Sequence, residues 1–417
     1  MKPIALKRGH RTPFVKMGKE LAHLNAVTLS VALIDQMLEK GEVPEKLIQH
    51  LIWGMVVPDP NIYSIAREAV LASRLDNRVE AYSVSRACAT SLQAAANAVS
   101  YYQTFPEESS VTLVGGVESF SSTRPVLTDE ASLFFKMAAS RAPIGKKIAQ
   151  FFKTPLGKFF PVPPSAKEYS TGLTMGEHCE RMVKEFRIVR ERQDRLALAS
   201  HRNAAQARSA LASQIIPIEG IAKDALIRED TSLEALASLS PAFDRKTGTI
   251  TAGNASPYTD GAAALYVISP ALERDVVPDA HLVDYEFVAV DPKEGLLMGP
   301  GKSLLRLLAR HRLTWRDFSY IELHEAFAGE VLCNVDAMND PTYRAAHYGV
   351  DYDPGRLDET VLNPWGSSIA YGHPFGATGA RMLNQAITFL KKEKGTLALL
   401  GVCTAGALAG GCIVKAA

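Results

Sequence analysis

The sequence predicts an α/β fold of two duplicated halves, the first carrying an insertion. Two stretches match in the order of their elements. SVSRACATSLQAAANAVSYY leads to VTLVGGVESF, and AYGHPFGATGARMLNQAITFL leads to LALLGVCTAG. Each reads as a small-residue turn, an Ala-rich amphipathic helix and an apolar strand ending in glycine. Their spacing agrees, because Cys88 to Gly116 and His373 to Gly401 are both 28 positions. A closing buried strand completes each copy, GAAALYVIS at 261–269 and GGCIVKAA at 410–417. In the second copy it follows its glycine turn at once. In the first, about 130 residues intervene, so that stretch is an insertion with elements of its own. The domain bounds expected are 1–119 with 251–270 for the first half, 120–250 for the insertion and 271–417 for the second half.

In chain order, Leu21 to Lys40 has apolar residues at helical spacing and stops at Gly41. LIWGMVV at 51–57 reads as a strand, AYSVS as another, and ACATSLQAA opens the helix of the first copy. The insertion holds a predicted helix from Arg190 to Ala210. The second half supplies a helix at 303–311 and the strand SYIELHEAF. Residues 395–414, GTLALLGVCTAGALAGGCIV, are long and uncharged enough to imitate a membrane span. Their glycines, at 401, 406 and 410–411, predict two short buried strands about a tight turn instead.

The 417 residues hold 46 Lys and Arg against 45 Asp and Glu, a net charge of +1 that argues against a general nucleic-acid binder. Five cysteines, none spaced CxxC, argue against a disulfide framework or a Cys-type metal site and favour a reducing compartment. The N-terminus lacks an apolar signal core, so a cytoplasmic location is expected. The neutral total hides a patch. Residues 131–167 carry seven basic and no acidic residues, and six of the 16 phenylalanines as three adjacent pairs. Basic charge with large apolar groups suits peripheral contact with an anionic membrane surface. It also suits partner docking, a lid over a long acyl chain, or a helix with Phe inside and Lys in solvent.

Four residues in turns could carry chemistry. Cys88 stands where a strand meets a helix N-terminus, whose free N–H groups and dipole favour the nucleophilic thiolate. A small buried cysteine is the plain alternative. His373 is its counterpart in the second copy, among glycines that let a ligand near the backbone. If the halves pack about a pseudo-twofold axis, the two can form a nucleophile–base pair. Cys403 lies in a strand-end turn, GVCTAG, where a second thiol could act as acid and base. His324 ends the strand YIEL. A zinc motif HExxH fails there because position 328 is alanine, and no metal is expected. GLLMGPGKS misses a phosphate-binding Walker loop by one position, and GNASP is not a serine-nucleophile elbow. Cys179, Cys333 and Cys412 read as structural.

Nine motifs in order carry a resemblance over nearly the whole chain: RTPF, SRACATS, MGEHCE, RERQDRLALASH, TAGNASPYTDGAAA, MGPG, HEAFAGE, YGHPFGATGAR and GVCTAG. They resemble the thiolase family, and HEAF resembles its long-chain branch, including the thiolase subunits of fatty-acid oxidation complexes. The resemblance implies a five-layered αβαβα fold, a loop domain in the first half, and a homodimer or tetramer, with a hydratase/dehydrogenase subunit as a further partner. It implies cleavage of 3-ketoacyl-CoA with coenzyme A as co-substrate and no permanently bound cofactor. On this resemblance Cys88 is the acylated nucleophile and His373 the histidine that activates it. Cys403 exchanges a proton with the acetyl-CoA carbon, and His324 stands where many members have an Asn that holds an oxyanion-hole water. Met175, Ser256, Met298, Ala326 and Phe327 match residues that line the pantetheine tunnel or lie near the thioester. Three departures stand out: His324 itself, Ala405 for a glycine in the 403–406 turn, and Ser367 where a second glycine is usual. Alternatives are a biosynthetic, acetoacetyl-CoA-forming thiolase, a ketosynthase-like condensing enzyme, and a non-catalytic lipid-binding scaffold of the same fold.

Overall fold

The computed structural model describes residues 2–163 and 166–417; Met1 of the N-terminal segment and positions 164 and 165 of the cationic segment lie outside the described residues. Among the described residues the ten strands are β1 Ile4–Arg11, β2 Val15–Lys16, β3 Ile48–Gly54, β4 Glu80–Val84, β5 Val111–Glu118, β6 Thr259–Ile268, β7 Ala280–Ala289, β8 Tyr320–Leu323, β9 Leu397–Cys403 and β10 Leu408–Ala416. Apart from β2, which pairs with β6, they hydrogen-bond in the order β4-β3-β5-β6-β1-β7-β10-β9-β8. The order is a palindrome of roles. Within the first half, the third, second, fourth, fifth and first strands follow one another. From the other edge, the second, fourth, fifth and first strands of the second half do the same. An isolated parallel bridge, Ile321 to Leu362, stands where the second half would place its third strand. The duplication is therefore visible in the topology. The sheets of the two halves join edge to edge, through the antiparallel contact of β1 with β7 at Ile4–Leu282, Ala5–His281 and Leu6–Ala280.

The helices are α1 Ala26–Lys40, α2 Ile65–Ala72, α3 Thr90–Thr104, α4 Asp129–Ala139, α5 Ile144–Lys153, α6 Met175–Glu185, α7 Arg190–Leu211, α8 Leu233–Ala237, α9 Gly299–His311, α10 Ala328–Asn339, the single turns α11 Pro341–Tyr343 and α12 Ser368–Tyr371, and α13 Thr378–Lys392. Strand side chains alternate between faces, and the core divides accordingly. Leu6, Ile52, Val114, Leu265 and Leu400 join Leu92, Val99, Leu383 and Ile387 of α3 and α13 in one cluster. Ala5, Leu51, Trp53, Leu113 and Tyr266 join Leu29, Leu33, Ala69 and Val70 of α1 and α2 in a second. Leu323, Leu399 and Ile413 join Leu304, Leu308, Val331 and Leu332 of α9 and α10 in a third. The result is five layers, helix, sheet, helix, sheet, helix, with α3 and α13 in the middle. They meet closely because position 379 is glycine: a Cβ there would lie 2.5 Å from the Leu92 backbone nitrogen.

Several element ends differ from the sequence reading, each for a local reason. Helix α1 starts at Ala26, not Leu21, because the Asn25 side chain accepts from the Thr28 N–H at 2.9 Å and caps it. Strand β3 ends at Gly54, since the Val56 and Val57 N–H groups donate to the Glu118 carboxyl at 3.1 and 3.0 Å rather than to a ladder. Helix α9 begins at Gly299, earlier than 303, with Pro300 in its first turn, where a missing N–H costs nothing. Strand β8 stops at Leu323, after which the backbone bridges to Ala255 through Phe327. Residues 395–414 form parts of β9 and β10, and among the described residues no helix is long and apolar enough to cross a membrane.

Candidate active site

Cys88 and His373 occupy equivalent turns of the two halves, and both turns bend the backbone the same way. The residue before each has positive φ, 42° at Ala87 and 94° at Gly372. Alanine in that region is strained. It is held there by Thr90, whose hydroxyl accepts the Arg86 N–H at 2.8 Å and donates to the Ala87 carbonyl at 2.7 Å. Gly372 leaves no choice of residue, because a Cβ would come within 2.4 Å of Thr259. The turns converge. His373 Nε2 lies 3.1 Å from Cys88 Sγ, and both side chains are buried.

Around this pair the hydroxyl groups assign the imidazole protons. His373 Nδ1 lies 2.8 Å from Thr378 Oγ1, whose own proton goes to the Pro374 carbonyl at 3.4 Å. Nδ1 is then the donor, and the Nε2 lone pair faces Cys88 as a base. His324 takes the opposite form. Its Nδ1 lies 2.8 Å from Ser368 Oγ, which accepts from Arg381 Nη2 at 3.0 Å; among the described residues the imidazole is the acceptor within reach of the Ser368 proton, so the hydroxyl donates to Nδ1. That leaves N–H on His324 Nε2, a buried atom without a partner among the described residues. The two rings stand 4.2 Å apart between centroids. One histidine offers a lone pair and the other a proton, so His324 can donate to a substrate oxygen without an intervening water.

Burial sets the charges. It pushes the Cys88 thiol up to about 12, against the N–H groups of Ala405 and of Cys88 itself, which favour the thiolate. It holds His373 down to about 3, with the Arg381 charge adding to the effect. His324 is lowered well below its usual range by burial first, then by His373 and Arg381. The resting pair is thus a neutral thiol beside a neutral imidazole. Burial thus opposes the pull toward the thiolate expected at the helix start, and it outweighs the two N–H groups that favour that form.

Cys403 ends β9, where its thiol is buried and raised well above its usual range by burial, then by Glu330 and Cys88. Positive φ in the following turn falls on Gly406 and Ala407, at 74° and 57°, and not on Ala405. Alanine at 405 therefore keeps its N–H aimed at Cys88 Sγ without strain. The Gly406 N–H is already taken by Glu168 Oε1 at 2.8 Å. Ser367 is extended, with φ −143°, and its hydroxyl donates to Glu322 Oε1 at 2.7 Å.

The loop 253–258 ties the remaining residues to this centre. His373 N donates to the Pro257 carbonyl at 3.2 Å, and Ser256 N to the Ala326 carbonyl at 2.9 Å. Phe327 bridges to Ala255 and stacks edge-on against Phe243. Met298, Phe327 and Cys403 share the third core cluster, with Met175 and Ala326 packed against it. Cys88, His324 and His373 also present ligand atoms within 4.8 Å of one another, a soft donor set able to hold a cation.

Sequence reasoning missed the charged groups behind the histidines. Arg381 pairs with Glu322, and Glu322 also accepts from the Tyr320 hydroxyl at 2.6 Å. Glu325 is pushed up to about 7 by burial, although Ser200, Asn363 and the Ile369 N–H bond to it. The available signal was the placement of Glu322 within the apolar run of β8, where a charge needs a partner.

Comparison with known proteins agrees with this architecture. The thiolase N-terminal domain family matches residues 4–271 and the thiolase C-terminal domain family residues 276–416. The chain is 38% identical to a 3-ketoacyl-CoA thiolase of Escherichia coli O157:H7 over 424 aligned positions, covering 99% of this chain and 97% of that one. Among solved structures, an acetyl-CoA acetyltransferase of Bacillus anthracis superposes with a TM-score of 0.83 at 27% identity, covering 100% and 99% of the two chains. Human mitochondrial 3-ketoacyl-CoA thiolase does so with a TM-score of 0.83 at 25% identity and the same coverage.

Proposed function

The chain belongs to the thiolase family of acyltransferases, and on that premise we propose that it cleaves 3-ketoacyl-CoA with coenzyme A to acetyl-CoA and a shortened acyl-CoA in fatty-acid degradation. The observation that carries the proposal is the 3.1 Å contact of Cys88 with His373, with Cys403 on the neighbouring turn. His373 takes the Cys88 proton as the sulfur attacks the 3-keto carbon. His324 Nε2–H, the Ala405 N–H and the Cys88 N–H are donors for the oxyanions that develop. Breaking the Cα–Cβ bond leaves the acyl group on Cys88 and an acetyl-CoA enolate, which Cys403 protonates at carbon. Coenzyme A then takes the acyl group from Cys88. Met175, Ser256, Met298, Ala326 and Phe327 line the approach of the thioester. Five free, buried thiols suit a reducing compartment. Thiolysis of short, medium and long 3-ketoacyl-CoAs by the purified protein tests the reading, with turnover expected to favour medium and long chains. Absence of thiolysis at every length would sink it.

The cationic segment adds a second element to the proposal. Helices α4 and α5 pack as a pair in which Phe134 and Phe151 meet each other and Phe159 of the turn that follows, while Ile144 and Phe152, and beyond α5 Leu156 and Phe160, are exposed. Apolar groups that project among lysines, without being covered, fit the interface of an anionic bilayer. The protein should co-sediment with vesicles containing anionic lipid and not with neutral ones, and Phe152→Ser with Phe160→Ser should abolish the difference. Equal, negligible binding to both vesicles would remove this contact.

A further inference from the structure

One buried carboxyl near the site has no structural task that needs an acid. Glu330 lies in the first turn of α10, 1% exposed, behind Cys403. Its Oε1 accepts from Asn334 Nδ2 at 3.2 Å, a bond that an amide oxygen would accept equally well. Asn334 in turn is fixed by the Leu297 carbonyl at 3.0 Å and the Gly301 N–H at 2.9 Å. The other oxygen, Oε2, is buried without a hydrogen-bond partner among the described residues. The Cys403 thiol is the other polar side chain that interacts favourably with the carboxyl, close to it but short of a full hydrogen bond. Leaving a buried carboxyl oxygen unpaired is costly, and glutamine would keep the packing and the Asn334 bond. What the acid adds is a proton that it can give and take.

We propose that Glu330 is a positioning and proton-relay residue for Cys403, holding the proton that Cys403 must regain after protonating the enolate. This rests on the acid–base reading of Cys403 given above. The steps balance. Cys403 gives its proton to the enolate carbon and becomes a thiolate. The Glu330 acid passes its proton to that sulfur and becomes a carboxylate. The thiol proton of the incoming coenzyme A returns through Cys403 Sγ to the Glu330 carboxylate, and the coenzyme A thiolate attacks the Cys88 thioester. His373 separately returns the Cys88 proton when that sulfur leaves.

The surroundings suit the role. Among the described residues, the groups that act electrically on Glu330 or feel it are Cys88, Cys179, Cys333, Cys403, Glu325 and Tyr348. None is a cation, and burial raises this carboxyl well above its usual range, against the Cys403 thiol, which favours the carboxylate. It rests protonated, as a relay donor must.

The test is Glu330→Gln in the full-length enzyme, with acetyl-CoA as the probe. Acylation of Cys88 by labelled acetyl-CoA should stay within about twofold of wild type, whereas exchange of the acetyl methyl protons with D2O should fall at least about tenfold. The exchange rate of the variant should also lose one ionisation from its pH profile, which a packing defect would not remove. Glu330→Asp, which keeps an ionisable group on a shorter arm, should recover part of the exchange. Exchange in the wild type that Glu330→Gln leaves unchanged would overturn this inference alone. Absence of exchange in the wild type would overturn the acid–base reading of Cys403 and this inference with it. Should the variants not fold, infrared difference spectra of the wild type with and without acetyl-CoA carry the test, with Cys403→Ala as the control that separates Glu330 from the other buried carboxyls, Glu118 and Glu325. A protonated-acid C=O band that responds to acetyl-CoA is expected, and its absence would overturn the relay.

Discussion

Cys88→Ala should lose at least about ten-thousandfold in thiolysis and form no acyl-enzyme, because the reaction then has no atom to hold the acyl group. Cys403→Ala should behave differently. It should still accept an acyl group on Cys88, because the 3.1 Å contact with His373 that activates this sulfur does not involve Cys403. It should fail at the later step, with loss of proton exchange at the acetyl methyl. Mass spectrometry of the protein after brief exposure to acyl-CoA reads both variants at once. An acyl label on Cys403 in the wild type, or on Cys88→Ala protein, would reverse the roles assigned to the two sulfurs.

Alkylation of Cys88 by iodoacetamide should rise about tenfold per pH unit, or about a thousandfold between pH 6 and 9, without a plateau. The sign follows from the direction of both shifts. The thiol is raised to about 12 by burial, and the imidazole is held near 3 by burial and Arg381, so neither group changes its dominant charge over that range. The reactive thiolate remains a small fraction that grows with each unit of pH. A preformed thiolate–imidazolium pair would give a rate that is already flat below pH 8. Peptide mapping assigns the label to Cys88, and a plateau at that residue would contradict the neutral resting pair. Physically, the neutral pair means that the nucleophile is generated by substrate, when the oxyanion and its donors form together, rather than stored in the free enzyme.

The parts of this site that were legible in the sequence are those governed by local rules. Cys88 and His373 were found because each opens a repeat, in a small-residue turn before an Ala-rich helix, and a turn of that kind is encoded within a few residues. Cys403 was found for the same reason, at a strand end bounded by glycine. The repeat implied two matching halves, but neither the strand order nor the β1–β7 seam, since three residue pairs between distant strands leave no periodic trace. Glu330 and the Arg381–Glu322 pair were missed because a charge in a helix or strand ordinarily faces water, and only the packing of α10 against α6, α7 and α9 and of α13 against β8 reveals that these do not. The pull of burial on Cys88 was not legible for a related reason. The helix start is written in the sequence, whereas the depth at which the turn is buried comes from the other half of the chain.

The palindromic strand order has a consequence for how such a site can arise. A single half that paired with a copy of itself through its first strand would form the same double sheet and bring the same turn into the centre twice. That assembly would hold two cysteines or two histidines, and neither combination joins a nucleophile to a base. Only when both halves lie on one chain can the two turns change independently, one keeping sulfur and the other imidazole. Here the tandem chain is what separates the two jobs, and the strained Ala87 and the glycine at 372 show one bend kept for two different purposes.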